Sequence, residues 1–333
     1  MSYIINGIQQ IGIGVSNARE VFNWYRKNRG FDILVFEDVA PASLMTAYTN
    51  GEIMNRHALL AMNMQGGGGL EIWQFSDRDP EPQKKAFQWG DLGINAMKLR
   101  HTNPEYHRKL AQGPWHNWMQ WTYSEHIFCN SNQNSGGVMG AIIGVSNMQR
   151  SLKFYQEVLG FDNIKNDDIG VFQDFGYIPG GNSKFRRVIL GHNGRKVGGF
   201  GKLLGPCEIE LIQVLDRTPN KIYENRLWGD LGYIHLCFDI SGMDCLKSRA
   251  KAIGHDFKVD SADSFDMGKA AGRFGYVEDP DGTLIELVET HKVPIFKPLG
   301  LYINLKKRNP EKPLPNWMVK TLRFHRMRKD LKV

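Results

Sequence analysis

The chain has 333 residues, 41% of them hydrophobic and 23% charged, with a formal net charge of +7. That length suits two domain-sized units with a large core. No run of about 18 apolar residues is there to span a bilayer, and no basic-then-apolar leader opens the chain. Cys129, Cys207, Cys237 and Cys245 form no CxxC pair, which argues against a zinc cage or disulfide framework and makes a reducing cytoplasm the expected setting.

The charge is uneven. Residues 291–333 carry twelve Lys and Arg against two acids, which leaves the preceding 290 residues at −3. The basic character belongs to a tail, which argues against a nucleic-acid-binding body.

In chain order, residues 8–17 alternate like a strand, with Ile11, Ile13 and Val15 on one side. Asn17 offers a helix N-cap, Val21, Phe22, Trp24 and Tyr25 fall at helical spacing, and Gly30 stops the helix. Strands are predicted over 33–39, 57–64 and 70–75, giving the order βαβββ. A second copy follows, with a strand over 138–145, a helix over 148–159, and strands over 171–177, 185–190 and 209–214. The last quarter predicts strands at 233–240, 257–259, 272–277 and 283–288 and a helix over 244–253. Asp279-Pro280-Asp281-Gly282 makes the turn between the final two strands.

The copies are legible as a repeat. Residues 13–32 and 143–162 both open Ile-Gly-Val-Ser-Asn and close Gly-Phe-Asp, with Trp24-Tyr25 and Phe154-Tyr155 between. Residues 89–93 and 228–232 both read Trp-Gly-Asp-Leu-Gly. Two echoes in the same order imply four modules, over 5–80, 90–134, 137–218 and 230–290. The second is short for a helix plus three strands. The division is then a first domain over 1–134, a second over 137–290 and a basic extension over 291–333.

This pattern resembles the vicinal oxygen chelate superfamily, which contains glyoxalase I, fosfomycin-resistance proteins, methylmalonyl-CoA epimerase and extradiol dioxygenases. The resemblance covers residues 5–290. It rests on the strand-Val-Ser-Asn start, the aromatic-Tyr-x4-Gly-Phe helix end, and Asp279-Pro280-Asp281-Gly282-Thr283-Leu284-Ile285-Glu286-Leu287. It implies an α+β fold in which four βαβββ modules pair into two cupped mixed sheets. It also implies metal ligands at one position in the first strand and one in the last strand of each module.

Those positions are Gln10 and Glu71 in the first module, Ala96 in the second, Gly140 and Glu210 in the third, and His235 and Glu286 in the fourth. No last-strand position is assigned in the second. Pairing the first module with the fourth implies the set Gln10, Glu71, His235 and Glu286, similar to that of many glyoxalase I enzymes. Pairing the third with the fourth implies Glu210, His235 and Glu286 instead.

Such a mixed N/O set suits one divalent ion, Zn, Ni, Co, Mn or Fe. Two open positions would take the vicinal oxygens of a small-molecule substrate, and Lewis acidity would stabilise an enediolate. The resemblance implies Glu286 as the base, with Glu71 as its partner. The expected function is therefore a metal-dependent, glyoxalase-like lyase or isomerase. The alternatives are an Fe(II)-dependent extradiol-type dioxygenase, which wants a second His ligand, and a non-catalytic binding protein of the same fold. Monomer and homodimer are both compatible.

Taken singly, these residues have plainer readings: Gln10 as a solvated strand-end residue, His235 as a core histidine. The glycine run 66–69 lacks a phosphate-loop ending and reads as a flexible hairpin near the site mouth. The aromatic stretch 114–123 reads as pocket lining or packing. Residues 313–333 read as a helix that either docks its apolar side on the body or meets an anionic surface.

Overall fold

The structure is a computed structural model and describes residues 2–131, 133–194, 196–262, 265–266, 271–296 and 301–327. The first module comprises β1 (Ile4–Gly14), α1 (Ala18–Arg29), β2 (Ile33–Pro41), β3 (Asn55–Met62) and β4 (Gly69–Phe75). The second comprises β5 (Gly93–His101), β6 (Leu110–Gln112) and β7 (Trp118–Tyr123), with a single 3-10 turn at Pro104–Tyr106 where the others have a helix. The third comprises β8 (Ser135–Gly144), α2 (Met148–Glu157), β9 (Asn163–Gly170), β10 (Phe185–Gly191), α3 (Gly201–Leu204) and β11 (Glu208–Val214). The fourth comprises β12 (Gly232–Ser241), α4 (Met243–Ala252), β13 (Val259–Asp260), β14 (Phe265–Asp266), β15 (Ala271–Glu278) and β16 (Leu284–Thr290). The tail adds the hairpin β17 (Lys292–Phe296) and β18 (Leu301–Asn304), then α5 (Asn316–Val319).

The repeated sequence builds repeated ends. Asn17 Oδ1 accepts from Glu20 N at 3.1 Å and Asn147 Oδ1 from Arg150 N at 3.0 Å. Each bond satisfies an orphan donor of a helix first turn. Gly30 and Gly160 then turn the chain out at φ 71° and 67°. The aromatic pairs bury behind the sheets, where Val21, Phe22 and Tyr25 of α1 and Leu152, Phe154 and Tyr155 of α2 share one core with Leu246 of α4. Each such side chain contributes roughly 1.5–3 kcal/mol on burial.

The modules pair first with fourth and second with third. One sheet runs β13-β15-β16-β12-β1-β4-β3-β2 with β14 beside β15, and the other β6-β7-β5-β8-β11-β10-β9. The sequence boundary near 134–137 therefore separates modules without separating sheets: each sheet takes one module from either side of it. The central contact in each sheet is antiparallel, β1 with β12 and β5 with β8.

Three local expectations change, and the aromatic stretch takes one of its two readings. The stretch 171–177 is not a strand: β9 ends at Gly170, and a 3-10 turn at Gln173–Phe175 drops Phe175 into an apolar cluster with Trp89, Trp118 and Phe185. The glycine run is no mobile hairpin. Gly67 N donates to Leu203 O and Gly68 N to Val138 O, and a Cβ on Gly67 would lie 2.7 Å from the Gly137 carbonyl carbon. The run is buried where the two sheets touch. The aromatic stretch packs, Trp115 against Trp24 and Trp118 against Trp89. The tail forms only the short α5 and a 3-10 turn at Lys320–His325, while 328–333 lie outside the described residues. Leu314, Met318 and Val319 dock on Met62, Met64, Phe128 and Leu203. Among the described residues no helix is long and apolar enough to cross a membrane, and no two of the four cysteines are joined by a disulfide.

Candidate metal centre

The two central strands of the larger sheet set the site. Across the β1–β12 ladder Gln10 faces Cys237 and Gly12 faces His235. In the parallel ladders on either side, Gly12 pairs with Glu71 of β4 and Cys237 with Glu286 of β16. Two residues from each module thus point into one hollow, related by the internal repeat.

Their polar ends converge. His235 Nε2 lies 3.1 Å from Glu71 Oε2 and 3.1 Å from Glu286 Oε2. Gln10 Nε2 lies 3.3 Å from each of the same two oxygens. Ligand atoms roughly 2.1 Å from one divalent ion lie about 3.0–3.4 Å from each other. Glu71, His235 and Glu286 together form a group able to hold a metal ion. The imidazole Nε2, though close to both carboxylates, is off line for a hydrogen bond to either, and Gln10 Oε1 is likewise buried without a partner. A carboxamide turned over exchanges its nitrogen for an oxygen in the same place, so Gln10 can present an acceptor to the same point. These residues fit a divalent cation.

The surroundings are dry and aromatic. His235 is fully buried. Trp228 stacks over it with ring planes 18° apart, Trp73 meets Trp228 edge-on at 4.0 Å, and Tyr276 Oη is 3.5 Å from His235 Nδ1. The chain between β2 and β3 covers the hollow with Ala42 and Met45. It is pinned there by Tyr48, whose hydroxyl donates to Glu278 Oε1 at 3.1 Å.

Burial alone would push the His235 imidazole down, but Glu286 and Glu71 outweigh it and raise the pKa to about 9. Burial alone would raise Glu71, yet His235 and, farther off, Arg56 hold its carboxyl below the usual range. Burial, with Glu286 and Glu71 added, pushes the Cys237 thiol and the Tyr276 phenol well up, so both stay protonated.

The alternative set does not assemble. Glu210 lies in the smaller sheet, where Lys98 Nζ and Arg187 Nε each sit 2.6 Å from its carboxylate. Ala96 and Gly140 face the same hollow without ligand atoms. The last-strand place left blank in the second module belongs to Gln120, paired with Lys98 as Glu286 is with Cys237. The shortened module breaks the constant spacing that would have located Gln120. Lys98 was locatable, since it follows Ala96 by two residues as Cys237 follows His235. Gly12 carries no functional group, and only its place opposite His235 marks it.

Residues 138–287 match the model of the Glyoxalase/Bleomycin resistance protein/Dioxygenase superfamily. Glyoxalase I of Saccharomyces cerevisiae is 26% identical over 264 residues, which cover 72% of this chain and 75% of the yeast protein. Among solved structures, glyoxalase I from Zea mays overlays with a TM-score of 0.51 at 11% identity, covering 97% of this chain and 96% of the maize chain. A putative dioxygenase from Bacillus subtilis overlays with a TM-score of 0.52 at 10% identity, covering 86% of each chain. At such identities the two overlays speak for the fold alone. Over residues 138–287 the chain is thus similar to the glyoxalase/bleomycin resistance protein/dioxygenase superfamily, and along nearly its whole length it has the fold of glyoxalase I.

Proposed function

We propose that the chain is a metal-dependent lyase or isomerase that moves a proton next to a carbonyl, with Gln10, Glu71, His235 and Glu286 holding one divalent ion. The observation that carries this reading is the convergence of those four side chains at 3.1–3.3 Å, with an imidazole Nε2 that makes no aligned hydrogen bond to either carboxylate beside it. When bound, the ion would supply Lewis acidity to neighbouring substrate oxygens.

The chain's own groups do the rest. Glu286 takes the proton from carbon and returns it, and Glu71 serves the opposite face. The half-closed aromatic wall of Trp73, Trp228 and Tyr276 excludes water, which keeps those carboxylates from being solvated during the transfer. Tyr276, held protonated, steadies the far side of the imidazole. An iron oxygenase of the two-His, one-carboxylate type needs a second imidazole, and among the described residues His235 is the histidine in this cluster.

The test is the metal content of the purified protein beside a His235→Ala/Glu286→Gln variant. About one equivalent in the wild type, lost in the variant, is expected. Solvent deuterium appearing in a 2-oxoaldehyde-derived substrate then checks the proton transfer. No metal in either protein after incubation with Zn, Ni, Mn and Fe(II) would end the lyase reading in favour of a binding cup.

A further inference from the structure

The smaller sheet repeats the register of the larger one position for position. Ala96 faces Ile142 across β5–β8 as His235 faces Gly12 across β12–β1, and Lys98 faces Gly140 as Cys237 faces Gln10. In the flanking ladders Glu210 pairs with Ile142 as Glu71 pairs with Gly12, and Gln120 pairs with Lys98 as Glu286 pairs with Cys237. The second hollow keeps a carboxylate and a carboxamide at ligand places and has put a lysine among them.

The Lys98 ammonium is buried there. Its Nζ lies 2.5 Å from Glu208 Oε1 and 2.6 Å from Glu210 Oε2. Lys165 holds the other Glu208 oxygen at 2.9 Å, and Arg187 bridges Glu210 at 2.6 Å to Asp174 at 2.9 Å. Three cations thus balance three carboxylates, and removing Lys98 leaves one buried negative charge uncompensated. A second observation is independent of this charge cluster. Gln120 is fully buried in the same hollow, and both its amide nitrogen and its oxygen lack a hydrogen-bond partner. It occupies a ligand place with nothing to bind.

We infer that the second hollow is a divalent-cation site whose cation is built into the chain, the Lys98 ammonium standing in for the ion. Without that ammonium, Glu210, Glu208 and the Gln120 carboxamide oxygen form an oxygen-rich set suited to a hard or borderline ion such as Mn(II) or Zn(II). The wild-type chain therefore has one cup that takes a metal and one that cannot, and a single side chain makes the difference.

The test is Lys98→Ala in the His235→Ala/Glu286→Gln background, equilibrated with Mn(II) or Zn(II) and read by metal stoichiometry and by thermal unfolding. That background removes the first cup from the measurement, so a first cup that binds no metal leaves this result readable. The expected outcome is a gain of about one equivalent over the same background with Lys98 intact. A rise in Tm with added metal should accompany it. Adding Glu210→Gln should abolish both effects. Lys98→Ser, small and uncharged, reads the same way should the alanine variant fold poorly. A folded Lys98→Ala or Lys98→Ser protein that gains no ion, and whose Tm ignores Mn(II) and Zn(II), overturns the inference and leaves Lys98 a structural ion-pair partner only.

Discussion

Gly12 lies directly across the β1–β12 ladder from His235, and a methyl group on its α-carbon would stand 2.7 Å from Nδ1 and 2.8 Å from Nε2 of the imidazole. The ring occupies the space that a side chain at residue 12 would fill. Gly12→Ala should therefore displace His235 from Glu71 and Glu286. Overpacking of this kind costs about 1–3 kcal/mol. The fold should survive with a lowered Tm, while metal content falls toward that of His235→Ala. Measuring both in one preparation separates the effect on the site from general instability. Metal retained at wild-type level would mean that the imidazole is not set by this contact.

Stability without metal should depend on pH through His235. Its folded pKa of about 9 lies above the ordinary 6.5, so the folded state binds the proton more tightly than the unfolded state does. That contribution is fully present below pH 6.5 and is lost as pH rises through 9. The difference corresponds to roughly 3 kcal/mol. Urea unfolding in a chelator at pH 6 and pH 9.5 should show this loss, and His235→Gln should flatten it. Since a metal ligand must be deprotonated, ion uptake at neutral pH should release a proton from His235, visible in weakly buffered titrations.

Asp230 is fully buried in the loop that leads into β12. It accepts from Leu227 N at 2.7 Å and Glu81 N at 2.8 Å, and pairs with Arg78 at 3.0 Å. Asp91 does the same in the other sheet with Gln88 N, Asn220 N and Arg217. Each Arg belongs to the module that pairs with that Asp's own, so these bonds clamp the intended partners. Asp230→Ala should cost about 3–5 kcal/mol, since it strands Arg78 and two backbone donors. Asp230→Asn should cost less. Chemical denaturation of the two variants gives the comparison.

The tail is held by apolar contact. Met318 and Val319 sit buried against Met62, Met64 and Leu203, while Trp317 and Phe324 on the other side are exposed. Met318→Lys should cost about 2–4 kcal/mol through lost burial and a buried charge, whereas Trp317→Ala should leave the unfolding free energy within about half a kcal/mol of wild type. Limited proteolysis should cut Met318→Lys first in the tail.

Much of this was legible from residues alone. The two Asn caps, the two glycine stops and the aromatic pairs between them announce the helices, because capping and apolar spacing act within one or two turns. Gln10, Glu71, His235 and Glu286 came from the family resemblance, whose pattern of first-strand and last-strand places picks them out. The strand over 171–177 was misread since Phe172 and Phe175 suit a sheet as well as a core, and the apolar cluster of the smaller sheet claimed Phe175. The glycine run looked mobile because small residues in a row carry no sign of a neighbour. It is rigid because another backbone, at Gly136–Gly137, comes close enough to exclude a Cβ.

By itself the sequence determined the repeated modules and most of their local elements, since these depend on periodicity and on neighbours in the chain. Which modules pair was decided only in three dimensions. Each module presents an open edge at its first strand, and the hydrogen-bonding of that edge is the same whichever partner arrives. Side-chain volume breaks the tie. Gly12 faces His235 and Ile142 faces Ala96, small against large in both sheets. Exchanging partners would set Ile142 against His235 and Gly12 against Ala96, one crowded ladder and one hollow one. The pairing that packs both is the one that brings a histidine and a glutamine to two glutamates.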